Sequence, residues 1–250
     1  MSGHLAVIGL GPGDAALLTP QAAAALAAAD EVFGYGPYLA RLPPHPGQRR
    51  HPSDNREEDA RAQAALTLAA AGARVAVVSG GDAGVFGMAA AVCEAIGHGP
   101  PAWRALDVEV IPGISALLAA AARVGAPLGH DFCAISLSDN LKPWPTVVRR
   151  LAAAAGGGFV IALYNPASRA RPWQLGEALA LLRRHLPGTV PVVFATAVTR
   201  RDEHIDITTL AAADPACADM RTLVLIGTEA TRRIDRPAGA PWLYTPRHAP

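Results

Sequence analysis

The chain has 250 residues, 51% of them hydrophobic, and a net charge of +1 at pH 7. That length admits one large domain or two small ones with a substantial core. The near-neutral charge argues against a broadly basic nucleic-acid surface, and no apolar run is long enough to cross a bilayer.

Lys142 is the only lysine among 22 basic residues, a bias that by itself carries no mechanism. The opening MSGHLAVIGLGPGD enters a strand at once, without the basic region and cleavage site of a leader, so a cytoplasmic location is expected. Cys93, Cys133 and Cys217 are far apart and show neither disulfide nor metal-ligand spacing. No pair of the eight histidines has metal spacing either, and no metal is expected in catalysis.

Apolar runs alternate with helical patterns along the chain. LAVIG (5–9) reads as a buried strand, and Thr19-Pro20 opens a helix with Thr as cap. EVFGY (31–35) is a second strand, and a helix over 57–71 ends at Gly72. RVAVVS (74–79) precedes a glycine turn and a helix over about 86–97; DVEVI (107–111) closes on Pro112-Gly113. This alternation predicts a mainly parallel sheet. Further on, FCAIS (132–136), GFVIALY (158–164), VPVVFAT (190–196), HIDIT (204–208) and RTLVLIG (221–227) are strand-like, with helices near 145–154 and 172–185. HIDIT and RTLVLIG leave little room for a helix between them, so this second sheet is expected to be mixed. The division is an α/β lobe over 1–113, a second over 114–234, and a loosely attached, proline-containing tail over 235–250.

Three turns carry the chemistry. Gly9-Leu10-Gly11-Pro12-Gly13-Asp14 follows the first strand and has the outline of a dinucleotide fingerprint. Pro12 lacks the N–H that a phosphate needs, and Asp14 places negative charge where pyrophosphate would sit. Ser79-Gly80-Gly81-Asp82-Ala83-Gly84-Val85-Phe86-Gly87 strips side chains from a second turn. Asp82 there either favours an ammonium or sulfonium ligand or caps the next helix. Ile111-Pro112-Gly113-Ile114-Ser115-Ala116 forms the third turn, with Ser115 as cap or donor.

In this order the three turns resemble the tetrapyrrole methylases, over about residues 4–234. The resemblance implies two α/β lobes with S-adenosylmethionine in the cleft between them, a homodimer, and S-adenosylhomocysteine as product. The stretch from Gly129 through His130, Ser136, Asp139 and Lys142 to Trp144 resembles the branch that methylates precorrin-3B at C-17 with ring contraction on the way to cobalamin. Leu163-Tyr164-Asn165-Pro166-Ala167-Ser168 and Arg169-Ala170-Arg171-Pro172-Trp173 share that resemblance. It implies that Pro12, Gly80, Gly81, Asp82, Val85, Ser115, Ala116, Asn165 and Ala197 line the methyl-donor site, with Gly227 a further candidate. Ala83 departs from the proline that commonly follows GGD in the family.

A many-carboxylate substrate calls for fixed cations, and arginine forks suit carboxylates. Arg169 with Arg171 and Arg200 with Arg201 are the candidates clustered on loops; Arg49, Arg50, His51, Arg56 and Lys142 are further ones. Asp14, His130 and Asp139 are the candidates for the acid or base of ring contraction. Methyl transfer draws much of its rate from proximity and orientation, so no catalytic triad is expected. The alternatives are methylation at another precorrin carbon or on a cobalt-precorrin, and a non-catalytic cofactor-binding protein. A nicotinamide oxidoreductase would rest on the first glycine turn alone. No nucleic-acid or membrane partner is expected.

Overall fold

The computed structural model describes residues 3–54, 56–168 and 170–248. Candidate Arg169 therefore lies outside the described residues. Contacts group the chain into two compact units, divided between Ala116 and Leu117. Among the described residues no helix is long and apolar enough to cross a membrane.

The first unit holds β1 (His4–Gly9), α1 (Pro20–Ala28), β2 (Glu31–Tyr35), α2 (Gly36–Leu39), β3 (Arg49–Ser53), α3 (Glu58–Ala70), β4 (Arg74–Ser79), α4 (Met88–His98) and β5 (Asp107–Ile111). Its five strands are parallel, in the order β3-β2-β4-β1-β5. Alternation along β1 sends Leu5 and Val7 to one face and Ala6 and Ile8 to the other. Leu5 and Val7 pack with Leu66 of α3 and with Met88 and Val92 of α4. Ala6 and Ile8 pack with Ala22 of α1. Burial on both faces explains the continuous apolar strands of this sheet. Helix α1 starts where expected: the Thr19 hydroxyl accepts the Ala22 amide at 3.1 Å, and Pro20 occupies the first helical position.

The second unit holds α5 (Ala116–Val124, opening at the division), β6 (Gly125–Ala126), β7 (Phe132–Ser136), α6 (Trp144–Gly156), β8 (Val160–Tyr164), α7 (Gln174–Leu182), β9 (Pro191–Thr196), β10 (His204–Thr209), β11 (Thr222–Ile226), β12 (Arg232–Ile234) and β13 (Trp242–Tyr244). Its five-stranded sheet runs β10-β9-β11-β8-β7. Only β7 and β8 are parallel; β8-β11, β11-β9 and β9-β10 are antiparallel, so the sheet is mixed as the short connections require. Leu151 of α6 and Leu175 and Leu179 of α7 cover Ile161, Leu163, Phe194 and Val224.

One expectation needs correction, and one strand lies outside the sequence reading. The tail is not loose: β13 pairs antiparallel with β12 and parallel with β6. Leu243 is buried, and the Thr245 hydroxyl donates to Pro127 O at 2.6 Å. The strand β3, RRHPS, has no counterpart in the sequence reading, because charge and proline mask a strand at a sheet edge.

Candidate functional site

In the first unit the three turns of the sequence leave the carboxyl ends of three neighbouring strands, β4, β1 and β5. Register places Gly9 beside Ser79 and Ile8 beside Ile111. The chain leaves β1 toward α1 on one face and β4 toward α4 on the other. Such a divergence between adjacent parallel strands opens a crevice where open α/β sheets hold ligands.

Backbone closes this point. Gly11 N donates to Gly81 O at 3.0 Å and Gly81 N to Gly11 O at 2.8 Å, joining the first two turns. A Cβ on Gly9 would lie 2.6 Å from Gly113 N, and one on Gly113 would lie 2.3 Å from Gly81 O. Gly81 has a φ of +70°, the left-handed region that glycine adopts without penalty. The third turn joins through Asp82. Its Oδ2 accepts the Gly113 amide at 2.9 Å and its Oδ1 the Gly84 amide at 2.8 Å.

The helix-cap reading of Asp82 is thereby corrected. The buried Ser79 hydroxyl caps α4 instead, accepting the Met88 amide at 2.9 Å. Ser115 and Pro12 are buried, Val85 and Ala116 half-buried, and Ala83 fully buried, where a small side chain fits. Asp14 Oδ1 accepts the Ala16 amide at 2.9 Å and caps a short helical turn over Ala15–Leu17. The turns thus offer a ligand mainly glycine backbone with few side chains.

In the second unit the carboxyl ends of β7, β8 and β9 lie along one edge of the sheet, because β11 runs antiparallel to both β8 and β9. Asn165 follows β8 at φ +52° and Ala197 follows β9 at φ +49°. Thr199 at +67°, and Phe86 in the second turn of the first unit at +53°, complete the non-glycine residues with positive φ among those described. Such residues cost roughly 1–3 kcal/mol each and gather at ligand sites; Phe86 lies in the second of the three turns, Asn165 and Ala197 are residues the resemblance names, and Thr199 adjoins the candidate Arg200. Asn165 Nδ2 donates to Ser136 Oγ at 3.0 Å, and Asn165 O accepts Arg171 Nη1 at 3.1 Å.

The same edge carries Asp139, whose two carboxylate oxygens accept Gln174 Nε2 at 3.2 and 3.1 Å. It also carries Lys142, whose Nζ donates to Ser138 O at 3.1 Å. Burial pushes the Lys142 ammonium below the usual lysine range; Arg150 and Arg171 push the same way, and Asp139 opposes them. Arg200 is half-buried and Arg201 exposed, both in the turn after β9.

Two candidates lie elsewhere. His130 precedes β7, at the opposite end of the sheet from Asp139, with Nδ1 facing the Asp131 amide at 2.8 Å. Gly227 follows β11 and donates to Pro191 O at the start of β9, again at that opposite end. A strand of five residues sets these ends about 15 Å apart, which corrects the grouping of His130 with Asp139 and of Gly227 with Ala197. Arg171, a candidate for a substrate carboxylate, is buried, and its Nη1 donates to the Asn165 carbonyl. Arg50 donates to the carbonyls of Leu39, Leu42 and Pro43, while Arg49 and His51 both pair with Glu31. Arg56 is exposed.

Sequence reasoning missed Tyr38 and Gln174, and it named Ser136 within a motif stretch without giving it a role. The Tyr38 ring lies 2.8 Å from where a Cβ on Gly80 would stand. Ser136 is the shared acceptor below Asn165, and buried Gln174 positions Asp139. The only available signal was their nearness to motif turns.

The site and fold define a class. The family model of the tetrapyrrole (corrin/porphyrin) methylases matches residues 4–214, and the chain belongs to that family. A precorrin-3B C(17)-methyltransferase from Sinorhizobium sp is 60% identical over 99% of this chain and 97% of its own length. A probable cobalt-factor III C(17)-methyltransferase from Salmonella typhimurium is 43% identical over 91% of this chain and 93% of its own. The crystal structure of the methyltransferase CobJ superposes with a TM-score of 0.93 at 50% identity, covering 98% of this chain and all of that one.

Proposed function

We propose that this chain methylates precorrin-3B at C-17, with ring contraction to precorrin-4, using S-adenosylmethionine in cobalamin biosynthesis. The observation that carries the reading is the backbone junction of Gly11 with Gly81, tied to Gly113 through Asp82. It is a built ligand cradle, in a chain 60% identical to a relative named for that reaction. A nicotinamide cofactor fits poorly, since Pro12 and Asp14 disfavour pyrophosphate.

The donor's sulfonium supplies an electrophilic methyl group, which C-17 of the ring takes as a carbon nucleophile. The chain's share is binding and alignment, which can supply several kcal/mol of the barrier. In this reading the glycine turns let the backbone approach the donor. Asn165 and Ala197 hold strained turns after β8 and β9 of the second unit. Arg200 and Arg201 receive substrate carboxylates, and Asp139, fixed by Gln174, is the retained candidate for proton transfer in ring contraction. Asp14 remains a second candidate. The enzyme works as a homodimer in the cytoplasm. A cobalt-bearing macrocycle is the second reading, favoured by the Salmonella relative's name.

Calorimetry tests the donor. S-adenosylhomocysteine should bind and NAD should not; micromolar binding of NAD with no response to S-adenosylhomocysteine would overturn the reading.

A further inference from the structure

We propose that Lys142 is the proton acceptor of methyl transfer: as a free amine it takes the proton that the macrocycle gives up when the methyl group is added. This inference rests on the methyltransferase reading above.

Position 142 is the one place among 22 basic residues where the chain uses lysine. That bias alone assigns no role, but a lysine, unlike an arginine, can release its proton and act as a base. The placement is as selective as the residue type. Lys142 Nζ donates to Ser138 O at 3.1 Å, and Ser138 N donates to Ser136 Oγ at 3.3 Å. Asn165 Nδ2 donates to the same Ser136 Oγ at 3.0 Å. Three hydrogen bonds therefore join Lys142 to Asn165, the residue held at φ +52° where β8 ends. The amine belongs to the edge that carries the strained turns.

The charged groups facing it are Asp139 from its own turn, Arg171 from the loop after β8, and Arg150 from α6. Burial and the two arginines favour the neutral amine, and Asp139 favours the ammonium. Gln174 Nε2 donates to both oxygens of the Asp139 carboxylate. Lys142 is half-buried, so its amine is desolvated in part while the side chain keeps some exposure.

The step balances. The S–CH3 bond breaks with its electron pair kept by sulfur, and the C–CH3 bond forms from an electron pair of the ring. The positive charge passes to the macrocycle. Loss of one ring proton to the Nζ lone pair restores the macrocycle and leaves an ammonium on Lys142.

The single lysine makes the test direct. Reductive methylation with 13C-formaldehyde labels Lys142 and the N-terminal amine, so NMR follows one side-chain resonance with pH. Its midpoint should fall below that of the same label on a peptide spanning residues 138–146. Single-turnover methylation should slow at least about tenfold in both Lys142→Arg and Lys142→Met, within the usual range for positioned proton transfer. Affinity for S-adenosylhomocysteine should be retained. A fixed cation would be rescued by arginine; a base would not. A titration matching the peptide, or Lys142→Arg at the parent rate, would overturn the proposal. A parent protein that transfers no methyl group would overturn the methyltransferase reading and this inference together. Transfer by the parent at a rate Lys142→Arg equals would overturn this inference alone.

Discussion

Asp82 Oδ2 accepts the main-chain amide of Gly113 at 2.9 Å, across 31 residues of sequence. Its Oδ1 holds Gly84 N at 2.8 Å, so one carboxylate ties the second turn to the third. Asp82→Ala leaves two amides without that acceptor and should cost about 1–3 kcal/mol. Asp82→Asn keeps one acceptor oxygen and should recover part of the loss. Urea denaturation measures both. Calorimetry should show S-adenosylhomocysteine affinity falling in the same order, Ala below Asn below parent; equal stabilities would show that the link contributes nothing.

Gly113 and Gly81 are glycine for different reasons. A Cβ on Gly113 would lie 2.3 Å from Gly81 O and 2.7 Å from Gly9 C, both backbone atoms that cannot step aside. Gly113→Ala should cost about 3 kcal/mol, the upper end for overpacking. At Gly81 the nearest atom to a Cβ is Ser115 Cα at 3.6 Å, and only the φ of +70° resists substitution. Gly81→Ala should cost about 1–2 kcal/mol, the left-handed penalty. Thermal melts that rank Gly81→Ala as the more damaged variant would refute this assignment.

Thr199 is β-branched at φ +67°, a conformation such residues rarely adopt. Thr199→Gly should raise stability by roughly 0.5–1 kcal/mol, the relief of strain less the added freedom of the unfolded chain. Thr199→Val, which keeps the branch, should bring no gain. Chemical denaturation of the two variants checks the difference, and a destabilised glycine variant would show that the turn is unstrained.

The three thiols differ in setting. Cys93 and Cys217 are exposed, while Cys133 is half-buried and burial pushes its thiol pKa up. The thiolate is the reactive form, so burial lowers the reactive fraction of Cys133 as well as its access to reagent. Limited iodoacetamide treatment followed by peptide mass analysis should find Cys93 and Cys217 alkylated before Cys133. Earlier modification of Cys133 would contradict its burial.

The first unit was legible because its inner strands β1, β2 and β4 are apolar on both faces and each motif turn directly follows a strand. The strand β3 was illegible because Arg49, Arg50 and Pro52 read as loop. The tail was illegible because its strand β13, and the β12 it pairs with, have three residues each, too few for a period. Within the site, glycine turns announce themselves by composition, but side-chain commitments do not. Ser79 caps an amide nine residues away, Asp82 reaches 31 residues ahead, and Arg171 is buried although it lies on a loop. His130 and Asp139 are nine residues apart in sequence, yet the strand between them carries them to opposite ends of a sheet.

The most direct measurement supplies precorrin-3B with S-adenosylmethionine carrying a 13C-labelled methyl group and locates the label in the product by NMR. The account predicts one new labelled methyl at C-17, a contracted ring, and one equivalent of S-adenosylhomocysteine. A label at another ring carbon, or no label in the macrocycle at all, would contradict it.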